Sequence, residues 1–361
     1  MISLKPYNTF GIEAQAATLI EINSVADLVS ALATAKKKRQ PIYILGGGSN
    51  ILFTRKRYAY CFLKNNIKGL EVVEDKTDTK IIKIGGGEVW QDVVNYALTH
   101  DLGGIENLSL IPGTMGAAPI QNIGAYGVEL KDVFVKLEAI CVDDGQWTMD
   151  NGNTFEKNNL SSIVHYPLSI VQKKDCQFGY RDSIFKNAWK GKYFITHVYL
   201  ELTKPHAHKI NIGYGDIQRV LMTNSGIHAG VYTPTIQDIS KAVIEIRQSK
   251  LPDPKHIGNA GSFFKNPEIS LTQLEILKEK FPNIVSYPMP NGAKLAAGWL
   301  IEQCGWRGVR KNNIGVHERQ ALVIVNYGDG TGSDIKKLSA AIQKSVFKKF
   351  GVALSAEVNF V

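Results

Sequence analysis

Apolar residues recur at helical spacing after Ser24, where Val25, Leu28, Val29, Leu32 and Ala33 would share one face, and Ser24 with Asp27 has the form of a capping box. The pattern predicts a first helix, then a strand at 41–45 and a glycine loop. Ile81–Ile84 reads as another strand, Gly85–Gly87 as a tight turn, and Val89, Trp90, Val93, Val94, Ala97 and Leu98 as the buried stripe of a second helix. Strand and helix alternate through the first half, so its expected character is α/β. Further helices are expected from Ile236 to Arg247, ended by Pro252 and Pro254, and from the Ser270/Gln273 capping box through Phe281. Two more are expected from Ala293 to Cys304, closed by Gly305, and from Ser333 to Phe350, stopped by Gly351. Ala321–Asn326 reads as a central strand. From Val352 to Phe360 the pattern alternates, which puts Glu357 on the polar face as a solvated side chain.

Three stretches do not read as core. In Pro41–Phe53, Gly46, Gly47 and Gly48 leave the main chain free to turn and leave its N–H groups open to a ligand. The loop suits a pyrophosphate, though it equally fits a tight turn, and it matches neither the P-loop nor the dinucleotide fingerprint. In Leu110–Gly127, small residues at Gly113, Gly116, Ala117, Ala118, Gly124, Ala125 and Gly127 supply little apolar area. Backbone packed against a flat or charged ligand explains them better than a long structural loop does. In Gly258–Pro267, Ser262 follows Gly261 beside two aromatic residues, but no nucleophile elbow supports hydrolase chemistry. Residues 150–170 are polar and read as a surface insertion. Arg181, between Tyr180 and Asp182, fits either a surface ion pair or a carboxylate-binding fork. Lys204–His208 looks like a boundary, and Gly213–Asp216 like a turn with Tyr214 at its tip.

At 361 residues the chain has room for roughly two or three domains. The apolar fraction of 44% and mean hydropathy of −0.10 are those of an ordinary soluble protein. The first residues lack the apolar run of a signal peptide and no segment approaches the ~18 apolar residues of a membrane span, so a cytoplasmic protein is expected. Cys61, Cys141, Cys176 and Cys304 are widely spaced, which argues against a metal site or disulfide framework. The net charge of +9 would serve nucleic acid, a membrane surface or multiply anionic small molecules. Its densest run, Lys36–Arg39, is better read as the solvated end of the first helix.

The strings Ile111-Pro-Gly, Gln121-Asn-Ile-Gly-Ala-Tyr-Gly, Phe178-Gly-Tyr-Arg-Asp-Ser and Gly258-Asn-Ala-Gly-Ser-Phe-Phe-Lys-Asn-Pro, in this order, closely resemble the UDP-N-acetylenolpyruvoylglucosamine reductases, flavoenzymes of peptidoglycan precursor synthesis. The resemblance runs from Leu4 to the final strand. It implies an α/β (α+β) fold with an FAD-binding lobe of the vanillyl-alcohol-oxidase kind over 1–205, in two parts of about 15–70 and 71–205. A C-terminal substrate lobe would follow over 206–361, its last strand returning to the active site. It implies non-covalent FAD, which fits the absence of His and Cys from both glycine loops. NADPH would be the hydride donor and the enolpyruvyl UDP-sugar the substrate, in a monomer that takes neither nucleic acid nor a membrane.

By the same match, Gly46, Gly47, Gly48, Ser49, Asn50, Pro112, Gly113, Gly116, Ala117, Gln121, Gly124, Tyr126, Gly127, Ile195 and Arg247 would hold the flavin. Tyr180, Tyr214, Lys250, Asn259, Asn266, Lys294 and Gln303 would meet substrate or nicotinamide nucleotide, with Tyr214 closing over it. Arg181 as a fixed cation and Glu357 as a protonated donor would stabilise the carbanion formed by hydride transfer, and Ser262 would protonate it. Two alternatives are another FAD-dependent sugar or lactone oxidoreductase and a basic nucleotide- or nucleic-acid-binding module. Asp143–Lys174 appears longer than the family pattern requires.

Overall fold

A computed structural model describes residues 1–142, 167–225 and 233–361. The first unit is a sheet in which Arg57–Asn65 lies between, and parallel to, Gln15–Ile22 and Ile42–Leu45, with Ile2–Ser3 as an antiparallel edge. Its crossover is the helix Val25–Lys37, opened as expected by Ser24, whose Oγ accepts from the Asp27 N–H at 3.1 Å. Leu28, Ala31, Leu32 and Ala35 turn inward and share a core with Ile140 and Phe194 of the next unit. The glycine loop leaves the C-terminal end of Ile42–Leu45, where ligands of α/β sheets characteristically bind.

The second unit is a five-stranded sheet in the order Leu168–Gln172, Phe134–Cys141, Tyr193–Thr203, Thr79–Gly85, Leu70–Asp75. All its pairings are antiparallel, because Leu70–Asp75 and Thr79–Gly85 join in a hairpin and the helix Trp90–Thr99 covers a face instead of crossing over. Of the polar insertion expected at 150–170, residues 150–166 lie outside the described residues, and Leu168–Gln172 is an edge strand. No long helix forms between Leu110 and Gly127, only single 3-10 turns at Met115–Ala117 and Pro119–Gln121 and a two-residue strand pair.

The helix Ile236–Lys250 begins at a full Thr235/Asp238 capping box and packs Ile239, Val243 and Ile246 against Ile217 and Leu221 of a helix, Ile217–Ser225, that the sequence pattern did not suggest. This pair docks on the second unit through Ser240, whose hydroxyl lies 2.8 Å from that of Ser109.

The C-terminal unit centres on Val323–Asn326, buried at all four positions between Gly258–Ser262 and Ile314–Val316. The long helix Gly332–Phe350 covers it and stops at Gly351, which takes φ 68°. One expected helix is shorter than its pattern. Gly292–Leu295 is a strand paired with Ser286–Met289, and the helix runs only from Ala297 to Gln303. Ala293, Lys294 and Leu295 are good helix formers, so sheet pairing has overridden propensity. Gly305 follows with φ 76°, as the end signal required.

The alternation after Val352 is expressed as an extended crossing rather than one strand. Lys265 N–H donates to the Ser355 carbonyl at 2.9 Å and Glu357 N–H to the Phe263 carbonyl at 2.8 Å. The chain then pairs Asn359–Phe360 in parallel with Ile51–Leu52 of the first unit. The core there runs through both units, from Leu45, Phe53 and Phe62 to Phe263, Ile324 and Val358.

Gly332 marks the closest approach across that junction: a Cβ there would stand 1.8 Å from the Phe53 carbonyl oxygen. Gly332→Ala is therefore expected to cost about 3 kcal/mol, at the upper end of ordinary overpacking. A lowered urea midpoint, followed by tryptophan fluorescence, checks this; an unchanged midpoint would show that the junction yields freely.

Candidate active site

Two contiguous cavities lie between the three units. The smaller, of about 240 Å³, is lined by Gly46–Asn50, Pro112, Gly113, Gly116, Ala117, Gln121 and Ile195. The larger, of about 620 Å³, is lined by Gly124, Tyr126, Gly127, Tyr180, Arg181, Tyr214, Arg247, Ser262, Asn266, Lys294 and Glu357. Ser49, Asn50, Pro112, Gln121 and Ile123 border both, so the cavities open into each other.

The glycine loop is shaped by its neighbours. Gly48 takes φ 69°, and a Cβ on Gly47 would lie 3.0 Å from the Gly113 Cα, so the two small-residue stretches meet backbone to backbone. Beside them the Thr114 hydroxyl is buried with no hydrogen-bond partner among the described residues. A buried orphan donor next to bare backbone fits an anionic group held there. Asn50 joins the loop to the rest of the site: its Nδ2 donates to Gln121 Oε1 at 2.6 Å and to the Glu357 carbonyl at 3.2 Å.

Arg181 is presented by a tight turn in which Gly179 and Asp182 exchange main-chain hydrogen bonds, and it takes φ 52°, uncommon for a side-chain-bearing residue. Its Nη2 donates to the Gly124 carbonyl and its Nε lies 3.4 Å from Glu357 Oε1. The two readings left open for Arg181 are thus resolved against a surface pair: its side chain is 20% exposed and points into the cavity. Glu357 corrects the alternation. Its side chain is only 15% exposed, because the crossing segment has neighbours on both sides. Burial pushes its carboxyl above the usual range, while Arg181, Lys186 and Lys265 pull it back. Ser262 ends the strand Gly258–Ser262, opposite Val323, and borders the same cavity.

Arg247 is partly buried, and its Nε, fully shielded from solvent, has no partner among the described residues. Burial opposes its charge, with Tyr126 the offsetting neighbour. Lys294 Nζ lies 3.3 Å from the centre of the Tyr180 ring. Tyr214, 48% exposed, stands edge-on to Tyr126 at the mouth. Four cationic side chains (Lys131, Arg181, Arg247, Lys294) face three carboxylates (Glu129, Asp132, Glu357) around the cavity, a balance suited to an anionic ligand.

Three expected contacts stand off the lining. Lys250 bonds Asp216 at 2.6 Å and so ties the Tyr214 turn to the end of its helix. Asn259 donates to the Pro252 and Ile257 carbonyls and accepts from Gly261 N–H, shaping the loop ahead of Ser262. Gln303 is exposed at its helix end, its carbonyl taken by Lys349. Asn266 both borders the cavity and accepts from Ala297 N–H at the start of that helix.

Asn122 and Lys186 had no role in the sequence reading. Fully buried, Asn122 donates to the Gly179 carbonyl and to Glu129 and accepts from Lys131 N–H, fastening the Arg181 turn to the small-residue stretch. A polar residue amid apolar and small ones was its only signal.

Relatives sharpen this picture. The FAD binding domain family matches residues 16–149, and the family described as UDP-N-acetylenolpyruvoylglucosamine reductase, C-terminal domain, matches 253–361. The UDP-N-acetylenolpyruvoylglucosamine reductase of Flavobacterium johnsoniae is 44% identical over 360 residues, covering 99% of this chain and 98% of that one. The chain belongs to the UDP-N-acetylenolpyruvoylglucosamine reductase family. The reductase of Pseudomonas aeruginosa is 43% identical over 358 residues, covering 99% and 97%. The solved structure of UDP-N-acetylenolpyruvylglucosamine reductase from Thermus caldophilus shares the fold, with a TM-score of 0.63 at 19% identity over 99% of this chain and 97% of that one. As a member of this reductase family the protein is an FAD-dependent oxidoreductase. The bare loop and the orphan Thr114 hydroxyl fit the cofactor.

Two outcomes follow. Gly47→Ala forces backbone apart at Gly113 and is expected to weaken FAD binding at least ~10-fold, the equivalent of about 1.4 kcal/mol, read by flavin fluorescence quenching on the apoprotein. Glu357, with its pKa raised by folding, binds a proton more tightly in the native state. Its stabilisation is full below the ordinary carboxyl pKa and is lost as pH rises through the raised one. Glu357→Gln should therefore gain stability over the native protein as pH rises from about 5 to 8. Parallel unfolding midpoints across that range would contradict the raised pKa.

Proposed function

We propose that the protein reduces UDP-N-acetylenolpyruvoylglucosamine to UDP-N-acetylmuramate at the expense of NADPH, in peptidoglycan precursor synthesis. The observation that carries this reading is the meeting of Arg181, Ser262 and Glu357, from three distant stretches, on the wall of one cavity that opens into the glycine-loop cavity. Gly46–Asn50, Pro112, Gly113 and Gly116 would hold the FAD, whose redox chemistry would carry hydride from NADPH to the methylene carbon of the enolpyruvyl ether. In this reading residues 1–205 form the cofactor lobe, which also lends Tyr180 and Arg181 to the substrate, and 206–361 form the substrate lobe.

The work of the side chains follows from their geometry. Arg181, fixed by Gly124 and Glu357, lays its planar guanidinium where a substrate carboxylate can be met in bidentate fashion. As negative charge spreads onto that carboxylate, the cation and a protonated Glu357 donate to it without having to reorganise. Glu357 can keep its proton because burial raises its pKa. Ser262 gives a proton to the carbon next to the methylene, which completes the saturated ether; the hydroxyl is a weak acid, matched here to a strongly basic carbon. Lys294, over the Tyr180 ring, and Tyr214 at the mouth are suited to the nucleotide end of the substrate. No helix among the described residues is long and apolar enough to cross a membrane, and a cytoplasmic enzyme is the setting in which NADPH is at hand.

The test is spectroscopic. The yellow protein should bleach with NADPH in the absence of oxygen and regain its colour when UDP-N-acetylenolpyruvoylglucosamine is added. Bleaching without recovery would reassign the substrate, and sugar oxidation by oxygen without NADPH would favour an oxidase. In Ser262→Ala, bleaching should proceed at close to the native rate while recovery slows by about 10²–10⁴-fold, the usual worth of general acid catalysis. Equal slowing of both halves would make Ser262 structural.

A further inference from the structure

Lys186 lines the smaller cavity beside Phe185, while Arg181, five residues earlier, lines the larger. Its Nζ donates to the Arg181 carbonyl at 3.2 Å, across the turn in which Arg181 takes its left-handed conformation. That hydrogen bond and the Asn122 contact to Gly179 are two side-chain ties on the turn, and Lys186 alone of the two brings charge. We propose that Lys186 is a positioning residue for the reduction: its ammonium holds the Arg181 main chain and completes the cluster of cations around the Glu357 carboxyl.

The groups facing Glu357 are Arg181 from the same turn, Lys186 from the 3-10 turn Ile184–Lys186, and Lys265 from the stretch that pairs with the crossing segment. Tyr180 feels its charge as well. Lys186 is itself pressed down by burial, Lys265 and Arg181, and supported by Glu357 and Asp182. Burial favours the protonated carboxyl, and the three cations together oppose it. Loss of one cation favours the protonated carboxyl and raises its pKa. Loss of the hydrogen bond to the carbonyl frees a turn that most residues disfavour, and the guanidinium fork loses its fixed origin.

The proposal rests on reading Arg181 and Glu357 as the groups that meet substrate charge, so its test separates the two. The protonated-carboxyl infrared band of Glu357, identified by its absence in Glu357→Gln, is titrated in substrate-free holoenzyme, a readout that does not depend on which substrate is reduced. In Lys186→Met the midpoint should rise by about 1 pH unit or more, and KM for UDP-N-acetylenolpyruvoylglucosamine should rise at least ~10-fold with the loss of a fixed fork. Lys265→Met, which removes charge but no contact to Arg181, should raise the midpoint as well. Lys186→Arg, which keeps the charge, should hold the midpoint near that of the native enzyme. An unmoved band in Lys186→Met overturns the proposal, even if turnover falls. So does an equal rise in Lys186→Arg. Failure of the native enzyme to reduce this substrate would overturn the functional reading while leaving the titration to judge Lys186.

Discussion

Main-chain hydrogen bonding along residues 355–361 is the constraint on which the site depends. On one side the segment bonds to Phe263 and Lys265; on the other, Asn359 N–H donates to the Asn50 carbonyl at 3.1 Å and Val361 N–H to that of Leu52 at 3.0 Å. Each bond is worth only about 1 kcal/mol net, but together they fix the segment in register between the two units. The register sets which side chain faces the cavity. A slip of one residue would turn Glu357 away and bring Ala356 or Val358 to the guanidinium of Arg181.

Charge in this site is arranged by burial as much as by pairing. Arg181 and Glu357 form an ion pair by distance, yet desolvation favours the protonated carboxyl, and the surrounding cations oppose that preference. Such a pair is poor evidence for stability. It makes better sense as a reservoir of donors aimed at one point, where an incoming carboxylate relieves the excess of cations. Elsewhere burial acts without opposition: the Cys176 thiol is pushed up to about 12, an inert position for a sulfur that packs into the second core.

The elements built from local signals were legible in the sequence. Ser24 and Ser270 stand at helix starts, with Gly305 and Gly351 just past helix ends, because caps and left-handed stops act over a few residues. The glycine loop and the Leu110–Gly127 stretch were legible as places with too little apolar area to be core. What stayed hidden was decided across the chain. Gly292–Leu295 is a strand only because Ser286–Met289 lies beside it, and Glu357 is buried only because strands of two units enclose it. Lys186 and Asn122 bind main-chain carbonyls in a turn whose position no periodicity records.

The crossing segment also orders events in time. Asn359 and Asn50 are 309 residues apart, so the contact that seats Glu357 joins a part of the chain made early to one made after every other element around the cavities. Units emerging from the ribosome tend to fold in sequence. The glycine loop and its sheet can therefore take shape while the carboxyl at 357 has yet to be synthesised. A prematurely ended chain would lack both the carboxyl at 357 and the Asn359 and Phe360 that wall the glycine-loop cavity, so the two cavities are completed in a single late step, when the segment threads between its two neighbours.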